Sequence, residues 1–155
     1  MFRNSILFVF VCLMILLCGC QATGGSPVEV VSYYQDDNLM KHYGNVYTNY
    51  TSVEYEQITV EWQDASGRES SVGPNEPKYR GVIHLSAEQA EQLMGEYEWT
   101  ESTPQVAFDS IEYDTSESDN WYTSKDFHED LFKNVVINYV YFNGTDTIIF
   151  EIQVM

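Results

Sequence analysis

The position of the cysteines is the feature that most constrains how this chain folds. Cys12, Cys18 and Cys20 lie within the first 20 residues, and no cysteine follows them. The chain after Cys20 can therefore form no disulfide and offers no thiolate to a metal ion. Its core has to be stabilised by packing alone, and the 136 residues from Cys20 to Met155 are enough for one domain with a substantial core.

An apolar segment precedes the last of these cysteines. Residues 6–17 are almost wholly apolar, and Arg3 places a positive charge before them. A run of about 12 residues is typical of the h-region of a signal peptide and is shorter than the roughly 20 residues of a membrane-spanning helix. An uncleaved membrane anchor is the alternative. An ordinary secretory signal fits poorly, because the site at residues 20–22 would be Cys-Gln-Ala.

The end of this segment, Leu17-Cys18-Gly19-Cys20, resembles the lipobox of bacterial lipoproteins. The resemblance implies cleavage before Cys20 and attachment of two or three acyl chains to that residue. Two or more chains anchor a protein stably, whereas one chain binds a membrane only marginally. The family usually has a small aliphatic or hydroxyl residue where this chain has Cys18. The resemblance covers about the first 20 residues and implies nothing about the fold of the rest.

This resemblance divides the chain into three parts. Residues 1–19 are the expected signal peptide. Residues 20–27 are the expected lipidated cysteine with a flexible Gly- and Ser-containing tether, and residues 28–155 are expected to form a single domain. The protein is then held on the extracytoplasmic side of a membrane in a bacterial cell envelope, and the membrane is its partner through the lipid anchor.

The charge of the mature chain limits its other partners. All 24 acidic residues and six of the basic residues follow Cys20, so the formal charge from Cys20 onward is −18. Such a chain repels phosphate backbones, and we expect no binding to nucleic acid. It attracts cationic proteins at a distance, although solubility is the simpler explanation of the charge.

The alternation of apolar and polar residues predicts mostly strands. The predicted strands cover residues 28–31, 53–62, 79–85, 106–113, 135–142 and 147–154. Asn143-Gly144 is a preferred tight-turn pair, so the last two strands are expected to form a C-terminal β-hairpin. Its buried face is predicted to contain Val136, Val140, Phe142, Ile148, Phe150, Ile152 and Val154. Asn138 interrupts this face and would need a hydrogen-bond partner.

One helix is clearly predicted after Ser86. Ser86 and Gln89 have the spacing of a capping box, and an apolar stripe from Ala87 to Tyr97 follows them. Shorter helical patterns occupy residues 39–47 and the residues after Ser124. Together these patterns predict an α+β fold, in which an antiparallel sheet of about five strands packs against one helix.

The residues able to bind a metal ion do not form a recognised site. His42, His84 and His128 are far apart in sequence, and the acidic segment around His128 lacks the two histidines four residues apart that hold zinc on a helix. Acidic residues concentrate at positions 109, 112, 114, 117 and 119 (Asp109, Glu112, Asp114, Glu117, Asp119) without the calcium-loop spacing. We expect a solvated acidic loop and no metal or other cofactor.

No catalytic motif stands out in the mature chain. It lacks the Gly-x-Ser-x-Gly motif, a Gly-rich phosphate loop and a cysteine nucleophile. Paired carboxylates for glycoside hydrolysis exist in any chain with 24 acidic residues, but nothing singles out a pair. All 12 tyrosines and the three tryptophans, Trp62, Trp99 and Trp121, follow Cys20, and these side chains serve in cores as readily as in binding sites.

Three functions are consistent with these features. The first is a non-enzymatic binding or accessory module of an envelope lipoprotein. The second is an inhibitor or immunity-type protein that neutralises a cationic enzyme or toxin through its negative charge. The third is a glycan-binding or carbohydrate-active protein that stacks sugars on its aromatic side chains.

Overall fold

The computed structural model describes residues 26–45, 49–63, 69–70, 76–118 and 120–155. The predicted signal peptide, Cys20 and the tether up to Gly25 lie outside these residues. Within them, no helix is both long and apolar enough to cross a membrane. The strands are β1 (Ser26–Tyr34), β2 (Ser52–Gln63), β3 (Glu69–Ser70), β4 (Lys78–His84), β5 (Thr100–Ser102), β6 (Trp121–Thr123), β7 (Val135–Phe142) and β8 (Thr147–Val154). The helices are α1 (Asn38–Tyr43), α2 (Ala87–Glu96) and α3 (Lys125–Leu131).

The chain divides into two compact units. The first comprises residues 1–28 and 62–72, and its described part includes a short antiparallel pairing in which Trp62 faces Ser70 and Gln63 faces Glu69. The second comprises residues 29–61 and 73–155 and contains nearly all of the described secondary structure. The single domain predicted over residues 28–155 stays a prediction.

The sheet is open, and its strands follow the order β1-β2-β4-β8-β7-β6-β5, with β3 beside β2. The pairings from β2 to β5 along this path are antiparallel, which confirms the mixed α+β class. The predicted number of about five strands was wrong, because seven strands lie side by side in this order. Strands β5 and β6 have three residues each, too few to show an alternating pattern. Three helices rather than one accompany the sheet in the described residues.

The helix starts agree with their sequence signals. The hydroxyl of Ser86 accepts the backbone N–H of Gln89, and the Gln89 side chain accepts the backbone N–H of Ser86, which completes the predicted capping box of α2. Ser124 caps α3 in the predicted way. Helix α1 buries Leu39 and Met40, as the pattern over residues 39–47 indicates.

The C-terminal hairpin forms as predicted, with one correction to its buried face. Strand β7 pairs with β8 from Val135 opposite Val154 to Phe142 opposite Ile148, and a β-bulge at Asn138 shifts the register. The extra residue reverses the alternation before the bulge, so Val136 is 43% exposed instead of buried. Asn138 is itself exposed, and its amide donates to the Glu151 carboxylate at 2.8 Å.

The main core lies between the helices and one face of the sheet. It is built from fully buried side chains that alternate along the central strands, such as Phe142 on β7 and Phe150 on β8. Leu93 from α2 and Phe127 from α3 pack into the same cluster. Burial of each such side chain contributes roughly 1.5–3 kcal/mol, so this cluster supplies the stability that disulfides cannot.

The opposite face of the sheet is covered by an irregular segment, residues 103–114, which we call the covering segment. A strand was predicted over residues 106–113, and this prediction was wrong: none of these residues is in a strand. Their apolar side chains pack on Val82 of β4, Ile149 of β8 and Trp121 of β6. The alternation thus reflects contact with the sheet, whereas the backbone N–H groups of residues 109–111 bind a side chain described below.

Gly81 gives a test of how tightly strand β4 packs. A Cβ atom at this position would lie 2.4 Å from the Glu54 carbonyl oxygen and 2.9 Å from the Phe150 ring. We expect Gly81→Ala to lower the free energy of unfolding by about 1–3 kcal/mol through overpacking, as measured by urea denaturation. The control is Gly95→Ala on helix α2, where a Cβ atom meets nothing within 4 Å. This substitution should stabilise the helix by up to about 1 kcal/mol. Equal stability of the Gly81 variant and the native protein would contradict the tight packing.

Candidate functional site

Four tyrosines line a cavity of about 260 Å³ on the helix-bearing side of the sheet. They are Tyr34 of β1, Tyr43 of α1, Tyr55 of β2 and Tyr79 of β4. In the register of β2 and β4, Tyr79 faces Gln57, while Tyr55 faces Gly81. Tyr55 and Tyr79 therefore lie diagonally on one face of the sheet, and the missing side chain of Gly81 leaves room for the Tyr55 Cβ atom. We call this the tyrosine cavity.

The rings stand in different planes. Tyr34 and Tyr55 are stacked, with centroids 5.1 Å apart and planes 17° apart. Tyr79 is turned by 67° from Tyr55 at 6.0 Å and by 41° from Tyr43 at 5.9 Å. The rings thus form walls around a space and do not form a single flat platform.

Polar groups complete the lining of the tyrosine cavity. Asn38 and His42 of α1 and Gln57 of β2 line it together with Leu39. The ring Nδ1 of His42 lies 2.9 Å from the Asn38 carbonyl oxygen, which ties it to its own helix. The carboxamide groups and the phenol oxygens can exchange hydrogen bonds with a ligand, and the rings can contact its apolar part.

The phenols of Tyr55 and Tyr79 are held in their neutral form. Burial raises the pKa of Tyr55, and its hydroxyl donates to the Asp36 carboxylate at 3.0 Å, which raises that pKa further. Burial also raises the pKa of Tyr79, and the neighbouring Tyr43 adds to the effect. At physiological pH these two rings are therefore uncharged. The Asp36 carboxylate, which accepts the Tyr55 hydroxyl, is a negative charge in contact with one of them.

The tryptophans are placed differently from the tyrosines of the cavity. Trp121 is only 4% exposed and donates its indole N–H to the Thr115 carbonyl oxygen at 3.0 Å. Trp99 packs against Phe127 and Phe142, with its ring centroid 5.3 Å from each, and it donates to the Leu93 carbonyl oxygen. Both serve the core. The side chain of Trp62 lies outside the described residues.

The three histidines remain apart in the structure as they are in sequence. His42 lines the tyrosine cavity, whereas His84 on β4 lies 3.5 Å from the Glu54 carboxylate. The Nε2 atom of His128 lies 2.9 Å from the Val140 carbonyl oxygen and 3.0 Å from the Thr123 hydroxyl, which fixes α3 to the sheet. No group of three or more histidine, cysteine, aspartate or glutamate side chains in the described part of the chain is arranged to hold a metal ion.

The acidic residues at positions 109–119 have several separate roles. Asp109 binds Arg80 at 2.8 Å, and Asp114 accepts the backbone N–H of Ser116 at the start of a short 3-10 turn, Thr115–Glu117. The second contact lowers the pKa of Asp114. Glu112 is exposed, while Asp119 and the side chain of Glu117 lie outside the described residues.

A buried ion pair fixes the covering segment to the sheet. Glu56 on β2 is completely buried, and its Oε2 accepts the Nε–H of Arg80 on β4 at 2.6 Å. Its other oxygen accepts the backbone N–H groups of Asp109 at 2.8 Å and Ile111 at 3.1 Å, and also that of Ser110 between them. Three consecutive N–H groups of the covering segment thus converge on one carboxylate oxygen.

These contacts determine the pKa of Glu56. Burial raises this pKa, but the hydrogen bonds from Ser110, Arg80 and Ile111 and the charge of Arg80 together outweigh burial, and the net effect lowers it. The carboxylate is therefore charged at physiological pH and compensated by Arg80. This arrangement is structural. Both oxygens of the carboxylate bind groups on the side of the sheet opposite the tyrosine cavity.

Comparison with known proteins does not add to this description: no family model, curated protein or solved structure matches the chain. The candidate site therefore depends on its own geometry.

The sequence did not indicate the tyrosine cavity. Tyr55 and Tyr79 belong to predicted strands, and the register of an antiparallel pair would have brought them together. Tyr34 follows the strand predicted over residues 28–31, and Tyr43 lies in the short helical pattern over residues 39–47. Only the folded chain brings these two tyrosines to the same place. A search for tyrosines on the apolar face of adjacent strands would have found half of the site.

Glu56→Gln tests the buried ion pair. The variant removes the buried charged partner of Arg80 and leaves only the exposed Asp109 carboxylate, and we expect the free energy of unfolding to fall by about 3–5 kcal/mol at neutral pH, as measured by urea denaturation. Because the folded protein lowers the pKa of Glu56, its contribution is complete above the ordinary value of 4.5 and is lost as the pH falls through the lower folded value. The difference between native protein and variant should therefore narrow in acid.

The control for this prediction is Glu91→Gln on the exposed face of α2, which should change stability by no more than about 0.5 kcal/mol. A Glu56→Gln variant as stable as this control would show that the carboxylate does not hold the covering segment.

Proposed function

We propose that this chain is a lipid-anchored lipoprotein of a bacterial cell envelope and that its folded part is a non-enzymatic binding module, with the tyrosine cavity as its binding site. The observation that carries the second part is the tyrosine cavity itself. Four aromatic rings and three polar side chains surround one space, and this combination is typical of small-molecule sites. The first part depends on the lipobox-like residues that end at Cys20.

The cavity also suggests the size of the ligand. Its volume of about 260 Å³ is near the lower end of ligand sites, so it suits a small molecule or a single group of a larger one. Glycan binding is the form of this proposal in which one sugar ring contacts the tyrosines.

A specific observation favours a second function, the capture of a cationic protein. Helix α2 and the residues that follow it expose five glutamates, Glu88, Glu91, Glu96, Glu98 and Glu101. With a mature charge of −18, such a surface would accelerate encounter with a basic enzyme or toxin. Binding of a basic hydrolase such as a lysozyme at low ionic strength, lost at high salt and unaffected by changes in the tyrosine cavity, would support this function over the first.

The lipid anchor is tested by Cys20→Ser. We expect this variant to incorporate no labelled fatty acid and to lose the lipid-dependent partition into a detergent phase, because the acylated thiol is missing. Cys18→Ser is the matched control and should be acylated like the native protein. Acyl labelling of Cys20→Ser, or equal labelling loss in both variants, would contradict lipidation at Cys20.

The binding site is tested by a melting-temperature screen of the native protein against small cations, anions, mono- and oligosaccharides and peptides. We expect one class to raise the melting temperature, with a stabilisation of about 2.7 kcal/mol at a ligand concentration of 100 times Kd. Tyr79→Leu should remove the shift. Tyr141→Leu, which changes a partly buried tyrosine packed on the other face of the sheet, should keep it. No shift with any class, or a shift kept in Tyr79→Leu, would refute the tyrosine cavity as the binding site.

A further inference from the structure

We infer that the ligand of the tyrosine cavity is a small organic cation that carries a trimethylammonium group, such as choline. The inference deepens the proposed function and rests on it, since it names the chemistry that this site would recognise. It starts from the arrangement of the rings around the cavity.

The first step is the shape of the lining. A sugar ring is a puckered chair that stacks the C–H groups of one side on one exposed aromatic face. Here Tyr79 is turned by 67° from Tyr55 and by 41° from Tyr43, and all three rings line one cavity, so a compact group in it would meet rings that lie in different planes. Aromatic walls at such angles are the geometry in which proteins hold quaternary ammonium groups, because each ring face presents its negative quadrupole to the cation.

The second step is the charge around the tyrosine cavity. The eight residues that line it in the described part of the chain include neither lysine nor arginine. Lys41 lies on the same helix as His42 and Tyr43 but binds Asp37 at 2.7 Å and is exposed. The Asp36 carboxylate accepts the hydroxyl of Tyr55, which places a negative charge beside the aromatic walls. An anionic ligand would be repelled here, whereas a cation is attracted.

The third step concerns hydration. A primary ammonium group needs three hydrogen-bond acceptors to replace its water, whereas a trimethylammonium group has no N–H and spreads its charge over methyl groups. The described residues that line the tyrosine cavity include no carboxylate to pair with a primary ammonium group, and the amides of Asn38 and Gln57 and the phenol hydroxyls are neutral polar groups. The cavity is therefore better suited to the alkylated cation than to a simple amine.

The test is isothermal titration of the lipidated protein in a nonionic detergent. Choline is compared with its neutral isostere, in which a tert-butyl group replaces the trimethylammonium group, and with ethanolamine. We expect choline to bind about 10-fold more tightly than either compound, in keeping with the cation–π contribution at a partly desolvated site. Equal affinity for choline and its isostere, or no binding of choline, would overturn the inference.

Variants assign the effect to the rings. Tyr79→Phe keeps the ring and should bind choline within about 2-fold of the native protein, whereas Tyr79→Leu should bind it about 10-fold more weakly. Tyr141→Leu is the control on the other face of the sheet and should keep native affinity. Melting temperatures of all three show whether each variant is folded. Choline binding that survives Tyr79→Leu in a folded protein would also overturn the inference.

Two further arms separate the remaining cases. Glycerophosphocholine carries the same trimethylammonium group together with a negatively charged phosphate. We expect it to bind more weakly than choline because the chain is strongly acidic. Tighter binding of glycerophosphocholine than of choline would assign the trimethylammonium group to a lipid headgroup. If choline fails but a sugar or peptide shifts the melting temperature through Tyr79, the inference is wrong while the proposed function stands. If no compound acts through Tyr79, both fail.

Discussion

The antiparallel register of β2 and β4 is the constraint on which both faces of the sheet depend. It sets Glu56 opposite Arg80 and, one residue away on the other face, Tyr55 opposite Gly81. On one side this pairing creates the buried ion pair that holds the covering segment. On the other side it brings the rings of Tyr55 and Tyr79 together. A slip by one residue would exchange the two faces, burying charges against the helices and moving the tyrosines to the side of the covering segment.

The two faces are stabilised by different physical interactions. The helix-bearing face depends on dense apolar packing around residues such as Phe127, Phe142 and Phe150. The other face depends on a charged network, in which one buried carboxylate compensates Arg80 and satisfies three backbone N–H groups of an irregular segment. The network is buried, so its partners must all be present, since an unpaired buried charge is strongly destabilising. A domain without disulfides can use such a network to hold an irregular segment in one conformation.

The proposed site follows from this division. The tyrosine cavity lies where the packed face opens beside α1, and its rings are supported by one another and by the core. Its polar side chains Asn38, His42 and Gln57 come from one helix and one strand, which hold them more firmly than a loop would. The formal charge of −18 from Cys20 onward attracts an organic cation and a cationic protein alike. Of the two proposed ligands, only the organic cation would contact the rings of the tyrosine cavity, so substitutions in the cavity and changes in salt concentration separate the two proposed functions.

Local signals of the sequence determined the elements that depend on near neighbours. Ser86 and Gln89, which are three residues apart, form the capping box. The hairpin turns at Asn143-Gly144, where Gly144 has φ of 78°. The cysteine positions exclude disulfides from the chain after Cys20 and leave its stability to packing.

Tertiary structure decided what depends on distant residues. The bulge at Asn138 reversed the burial predicted for Val136, because the register was set by packing against β8 rather than by the alternation alone. The apolar residues of 106–113 became a covering segment because Glu56, 53 residues before Asp109, binds their backbone. Four tyrosines line one cavity because the folded chain brings together residues that are far apart in sequence. Alternation in a sequence indicates which residues pack against another part of the chain. It does not indicate which part that is, because the packing partner is determined only by the folded structure.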